Sequence, residues 1–170
     1  MAGKDKQHPE SLVRANVLTE ALSRAAKGEV DDQLSISFLV TGGAGEQAYK
    51  LVLRATGGRI DSCALSCAMS DRHTEVQEAK IDPKALTSLY RSLLKSGLLS
   101  SDAKSPLFLP DTVVGIIEVA LGETRHRVYF AADPDQAAVQ GLTTPKGVLE
   151  AAEALYKAAE EVLEIDNVKP

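Results

Sequence analysis

The residues here whose types could do chemistry are two cysteines, three histidines and one glycine-rich run. Cys63 and Cys67 invite a metal or redox reading. On a strand, however, four steps of about 3.3 Å set them roughly 13 Å apart. Disulfide partners have Cα atoms within about 7 Å, and two thiolates on one zinc must each come to about 2.3 Å from it. The strand-like pattern around them therefore predicts buried or interface thiols that neither chelate together nor bond to each other.

His8, His73 and His126 have no neighbour at ligand spacing such as i, i+4 of a helix. His126 is expected beside Val119 at the edge of a core face, as a hydrogen-bonded structural histidine. His73, next to Asp71 and Arg72, reads as part of a solvated turn. Gly42-Gly43-Ala44-Gly45 could cradle a phosphate only at the start of a helix, where amides and the dipole converge on an anion. It leads instead into a strand and lacks the lysine of a phosphate-binding loop, so it reads as a strand connection. No Ser/His/Asp, Cys/His or paired-carboxylate spacing is present. The expectation is a protein with no catalytic residue, cofactor or metal ligand.

The elements that position these residues follow from periodicity. Residues 10 to 27 read as a helix with an apolar stripe of Val13, Val17, Ala21 and Leu18, Leu22, Ala25, closed by Gly28. Leu34, Ile36, Phe38 and Val40 alternate with Ser35 and Ser37 as a half-buried strand does. A second strand carries Tyr49, Leu51 and Leu53 on one face. Gly57-Gly58 forms a type I′ turn into a third strand, from about Arg59 to Ser70. A two-residue loop sets Arg54 opposite Asp61 and Val52 opposite Cys63, with Leu51 and Leu53 sharing a face with Ser62, Ala64 and Ser66.

Thr74 to Ile81 reads as a fourth strand, and Asp82-Pro83 as the cap of a helix carrying Leu86, Leu89, Tyr90, Leu93 and Leu94 as far as Gly97. Ser100 to Pro110 reads as a loop. Val113 to Leu121 and Thr124 to Ala131 form a second hairpin about a type II′ turn at Gly122-Glu123. Its register pairs Glu118 with Arg127 and Ile116 with Tyr129 on one face and leaves Ile117, Val119, Leu121, Val128 and Phe130 for the core. After an irregular stretch from Asp133, Thr144-Pro145 caps a final helix with the stripe Val148, Ala152, Leu155, Ala159 and Val162.

The order α-β-β-β-(β)-α-β-β-α predicts an α+β fold: an antiparallel sheet of five or six strands with helices packed on it. The division expected is an N-terminal helical arm over 1–30, one α+β domain over 31–165 and a tail over 166–170. A net charge of −5 argues against nucleic acid and anionic membranes as partners. Few cysteines, and no apolar leader or spanning run in the sequence, predict a cytoplasmic protein.

Three functions follow, in order of preference. The first is a non-catalytic interaction or assembly module that meets a protein partner or a second copy through an apolar sheet face. The residues expected there are Val52, Cys63, Leu65 and Met69, with Ile116 and Val114; Arg125, Arg127 and Tyr129 form a basic edge, joined by Lys50 and Arg54 if the hairpins are neighbours. The second is a small-ligand pocket between sheet and helices, beside the small residues Ala64, Ser66 and Gly115. The third is an enzyme that gathers His126, Glu118 or a cysteine into that cavity.

Overall fold

The computed structural model describes residues 9–43, 49–67, 72–79, 81–101, 112–139 and 141–164. Helix α1 spans Pro9–Ala25. Strands β1 (Leu34–Gly42), β2 (Tyr49–Thr56), β3 (Arg59–Cys67) and β4 (Arg72–Ala79) follow, then α2 (Pro83–Ser96) and a 3₁₀ turn at Leu98–Ser100. Strands β5 (Val114–Leu121) and β6 (Thr124–Ala131), a short α3 (Pro134–Val139) and α4 (Lys146–Leu163) complete the chain. The fold is α+β, with all six strands in one antiparallel sheet of order β4-β3-β2-β1-β5-β6.

The helices cover one face of this sheet. Leu18, Leu22 and Ala25 of α1, Leu86, Tyr90 and Leu93 of α2, and Val148, Leu155 and Ala159 of α4 share one core cluster with alternate sheet residues such as Phe38, Leu53, Ile117 and Phe130. Phe38 meets Tyr156 of α4 edge to face, with ring centroids 5.1 Å apart and planes at 88°. Such a pair is worth roughly 0.5–1.5 kcal/mol beyond its buried area. In α1 the predicted stripe divides: Leu18, Ala21, Leu22 and Ala25 are buried, but Val13 and Val17 face solvent, 62% and 37% exposed.

Local chemistry explains the boundaries. The Asp82 carboxylate accepts from the Lys84 amide, Pro83 starts α2, and Gly97 ends it at φ +73°. Gly57 and Gly58 take φ +55° and +78° as a type I′ turn requires, and Gly122 takes +56°, as the first central residue of a II′ turn does. At α4 the expected cap falls one residue late. Pro145 holds the N-cap position and offers no side-chain hydrogen bond, and the first turn packs against the end of α2, where a Cβ at Gly147 would collide with the Ser96 carbonyl.

The β5–β6 register is the one the sequence predicts, with Glu118 opposite Arg127, Ile116 opposite Tyr129 and Val119 opposite His126. The β2–β3 register is not. Thr56 faces Arg59 and Ala55 faces Ile60, as a two-residue turn dictates, but a bulge then shifts the ladder so that Arg54 faces Ser62, Leu53 faces Cys63 and Val52 faces Ala64. The expected Arg54/Asp61 and Val52/Cys63 pairs do not form. Ile60 and Cys63 are both fully buried, and two residues three apart can share one face only if an extra residue is inserted between them. The core thus sets the register against the turn. His73 is likewise in β4, opposite Ser66, rather than in a turn. Of the predicted Ser100–Pro110 loop, residues 102–110 lie outside the described residues.

Candidate functional site

The face of the sheet turned away from the helices carries an ordered array of side chains. Because the strands are in antiparallel register, residues line up across the sheet in rows. The central row runs Glu75, Ala64, Val52, Leu39, Ile116 and Tyr129 from β4 to β6. On one side lies the row Gln77, Ser62, Arg54, Ser37, Glu118 and Arg127. On the other, His73, Ser66, Lys50, Thr41, Val114 and Ala131 align in the same way.

Leu39, Val52, Ala64, Val114, Ile116 and Tyr129 are half-buried, shielded by neighbours on the sheet, and none belongs to or packs against the core cluster. Lys50, Arg54, Glu75, Gln77, Arg125 and Arg127 around them are exposed. Glu118 is held by both basic side chains of β6. Its Oε2 accepts from Arg127 Nε at 2.7 Å and Nη2 at 2.6 Å, and its Oε1 lies 3.9 Å from Arg125 Nη1. Arg127 Nη1 also donates to the Tyr129 hydroxyl at 3.4 Å. Together Tyr129 and Glu118 hold the guanidinium above its ordinary pKa. At the opposite edge Glu75 accepts from Gln77 Nε2 at 2.9 Å and lies 3.7 Å from His73 Nε2.

The residues expected on this surface divide. Val52, Arg125, Arg127 and Tyr129 lie on the open face, and Lys50 and Arg54 join them across β1, which separates the two hairpins. Cys63 and Leu65 lie on the covered face, 0% and 6% exposed, because the β3 bulge turns them toward the helices. Met69 lies outside the described residues. Leu39 and Ala64 also lie in this row, and neither is expected there from the sequence. Leu39 is the one apolar side chain on the otherwise Ser/Thr face of β1, and that break in alternation is its signal in the sequence.

The groups proposed for an enzyme do not converge. His126 sits on the covered side, where its Nε2 donates to the Leu98 carbonyl at 3.0 Å, and burial pushes its pKa below the usual value against the pull of that hydrogen bond. Glu118 is on the opposite face, neutralised by arginines. Burial pushes the Cys63 thiol up to about 12, which removes its nucleophilic form at neutral pH. Both cysteines are free. Among the described residues no three His, Cys, Asp or Glu side chains come close enough to hold a metal ion.

The small residues expected to line a pocket between sheet and helices do not come together there. Ala64 and Ser66 are on the open face, and the space beside Gly115 is filled by the Phe130 ring, with which a Cβ would collide. Among the described residues a depression of about 190 Å³ lies beside α1, between Val17, Arg24, Asp31 and Leu121. Ligand pockets usually enclose about 300–1,000 Å³. Gly42 also has a structural purpose: at φ +140° it lets β1 approach the Thr112 carbonyl more closely than any side chain would allow.

Fold and site together define a class: an α+β protein whose sheet is covered by helices on one face and presents an apolar, charge-rimmed row on the other. No family model matches the chain, and no curated protein matches it in sequence. No described helix is long and apolar enough to cross a membrane.

Proposed function

We propose that the protein is a non-catalytic interaction or assembly module whose working surface is the open face of the sheet. The observation that supports this is the central row from Ala64 through Val52, Leu39 and Ile116 to Tyr129, which stands outside the core. An antiparallel sheet with one solvated face normally alternates apolar inward and polar outward. Here a contiguous apolar row crosses the outward face instead, and rimmed apolar patches of this kind mark interaction surfaces.

The chemistry favours a polypeptide partner. Phosphate backbones reward unpaired cations, whereas Glu118 engages the two arginines of β6 and the chain carries a net charge of −5. Two free cysteines suit the reducing cytoplasm, which is where we place the protein.

Ile116→Lys tests the surface directly. At concentrations where the chain is monomeric, thermal unfolding should show a stability change within about 1 kcal/mol, the span of β-propensity at an exposed strand position. Assembly with the partner should be lost. A destabilisation of several kcal/mol, as for a charge placed in a core, would mean that the chain itself covers this face. The surface would then be no interface.

A further inference from the structure

If the open face is an interface, its own layout names the occupant. The boundary between β2 and β1 divides the sheet into three strands on either side. A two-fold axis running along that boundary, midway between two copies, lays β1 on the partner copy's β2, β5 on its β3 and β6 on its β4. Residues in one row stay in that row.

Each of these pairs of columns is complementary. The open face of β3 is a trough of small side chains, Ser62, Ala64 and Ser66, whereas that of β5 is a ridge of Val114, Ile116 and Glu118. On β1, Ser37 and Thr41 flank Leu39; on β2, the long Arg54 and Lys50 flank Val52. The outer strands oppose in charge, since β4 presents Glu75 and β6 presents Arg125 and Arg127. The operation that puts ridge into trough also sets Glu75 over Tyr129, one row from Arg127, and by symmetry each contact is made twice.

The area is sufficient. Six strands at about 4.8 Å and eight residues at about 3.3 Å make a face of about 760 Å² per copy. Two copies would bury at most about 1,500 Å², within the usual range for specific interfaces.

We infer that the protein forms a symmetric homodimer by stacking this face on that of a second copy as an aligned β-sandwich, with Ile116 of each chain seated over Ala64 of the other. Leu39 and Val52 form the centre, and Glu75 of each copy faces the Arg127 and Tyr129 edge of its partner. The sheets stack about 10 Å apart with strands within about 30° of alignment.

The test exchanges ridge and trough. Dimer dissociation is measured by light scattering and sedimentation for the wild type, Ala64→Leu, Ile116→Ala and the double variant. Each single change should weaken the dimer roughly tenfold or more, equivalent to about 1.4 kcal/mol. Ala64→Leu/Ile116→Ala should restore wild-type affinity. Positions 64 and 116 lie on β3 and β5, with β2 and β1 between them, so restoration cannot arise within one chain.

A dimer indifferent to both single changes, or a double variant as weak as the singles, overturns the proposal. So does a wild type that stays monomeric at every concentration. If Ile116→Lys is then still neutral for monomer stability, the face remains an interface for a different polypeptide; if it is strongly destabilising, the surface reading falls too.

Discussion

Tyr156→Phe should stabilise this protein, although it removes a polar atom from a helix that packs tightly. Tyr156 is buried on α4, and its hydroxyl has no hydrogen-bond partner among the described residues. A buried polar group left unpaired costs about 1–3 kcal/mol relative to its hydrated state in the unfolded chain. Phenylalanine removes that penalty and keeps the edge-to-face contact with Phe38 at 5.1 Å. The expected gain is about 1 kcal/mol, which for a chain of this size raises the midpoint by about 2–4 °C.

The same substitution has a signature at high pH. Burial pushes the Tyr156 phenol up to about 12 from an ordinary value of 10.0. Between these values the unfolded chain ionises while the folded one does not. The stability that Tyr156 contributes is therefore complete below pH 10.0 and is lost as pH rises toward about 12. Thermal midpoints and ultraviolet titration of phenolate, followed from neutral pH upward, read both effects. In Tyr156→Phe one late phenol disappears and the alkaline decline becomes shallower. Destabilisation by about 1 kcal/mol at neutral pH would refute the reasoning, because it would show that the hydroxyl is satisfied, for instance by an internal water.

Two further substitutions probe the covered face. His126 is neutral with a lowered pKa, so its contribution is present above the unfolded value of about 6.5 and is lost as pH falls through the lower folded value. His126→Gln, which can still donate to the Leu98 carbonyl, should flatten the decline of the melting midpoint between pH 7 and 5; an unchanged acid slope would assign it to other groups. Gly115→Ala forces a methyl into the Phe130 ring and should cost about 1–3 kcal/mol in denaturant unfolding, largely recovered by Phe130→Leu. A neutral Gly115→Ala would show that the ring has room to move.

How far the sequence could be read depended on which interactions set each element. The β5–β6 hairpin was legible because turn and core agree: Gly122-Glu123 fixes the register that also buries Ile117, Val119, Val128 and Phe130. In β3 they disagree. The turn at Gly57-Gly58 specifies one face for Cys63 and Leu65, and the helices on the sheet demand the other. Nothing local to β3 announces the bulge that resolves the conflict, because Ser62, Ala64 and Ser66 are small enough to suit either side. The alternation in β3 therefore assigns Cys63 and Leu65 to the open face, whereas the bulge puts them on the covered one. For Val52, Arg125 and Arg127 simple alternation gives the face of the sheet on which they lie. The break in alternation marks Leu39 as outward-facing, but its place in the apolar row depends on β1 lying between the two hairpins. That strand order is set by pairing distant in sequence, which periodicity does not encode.

The same central position of β1 has a kinetic consequence. Every other strand pairing joins neighbours in sequence, through short connections whose closure entropy is small. The β1–β5 seam alone joins Leu34–Thr41 to Val114–Leu121, and the whole chain between them must be looped before its first hydrogen bond forms. Contacts of such high sequence separation slow folding. The four-strand meander and the β5–β6 hairpin can each assemble locally, and their joining at this seam carries the largest entropic barrier. Opening at the seam would divide the sheet into those two units, so it is also where two copies folding side by side could exchange hairpins.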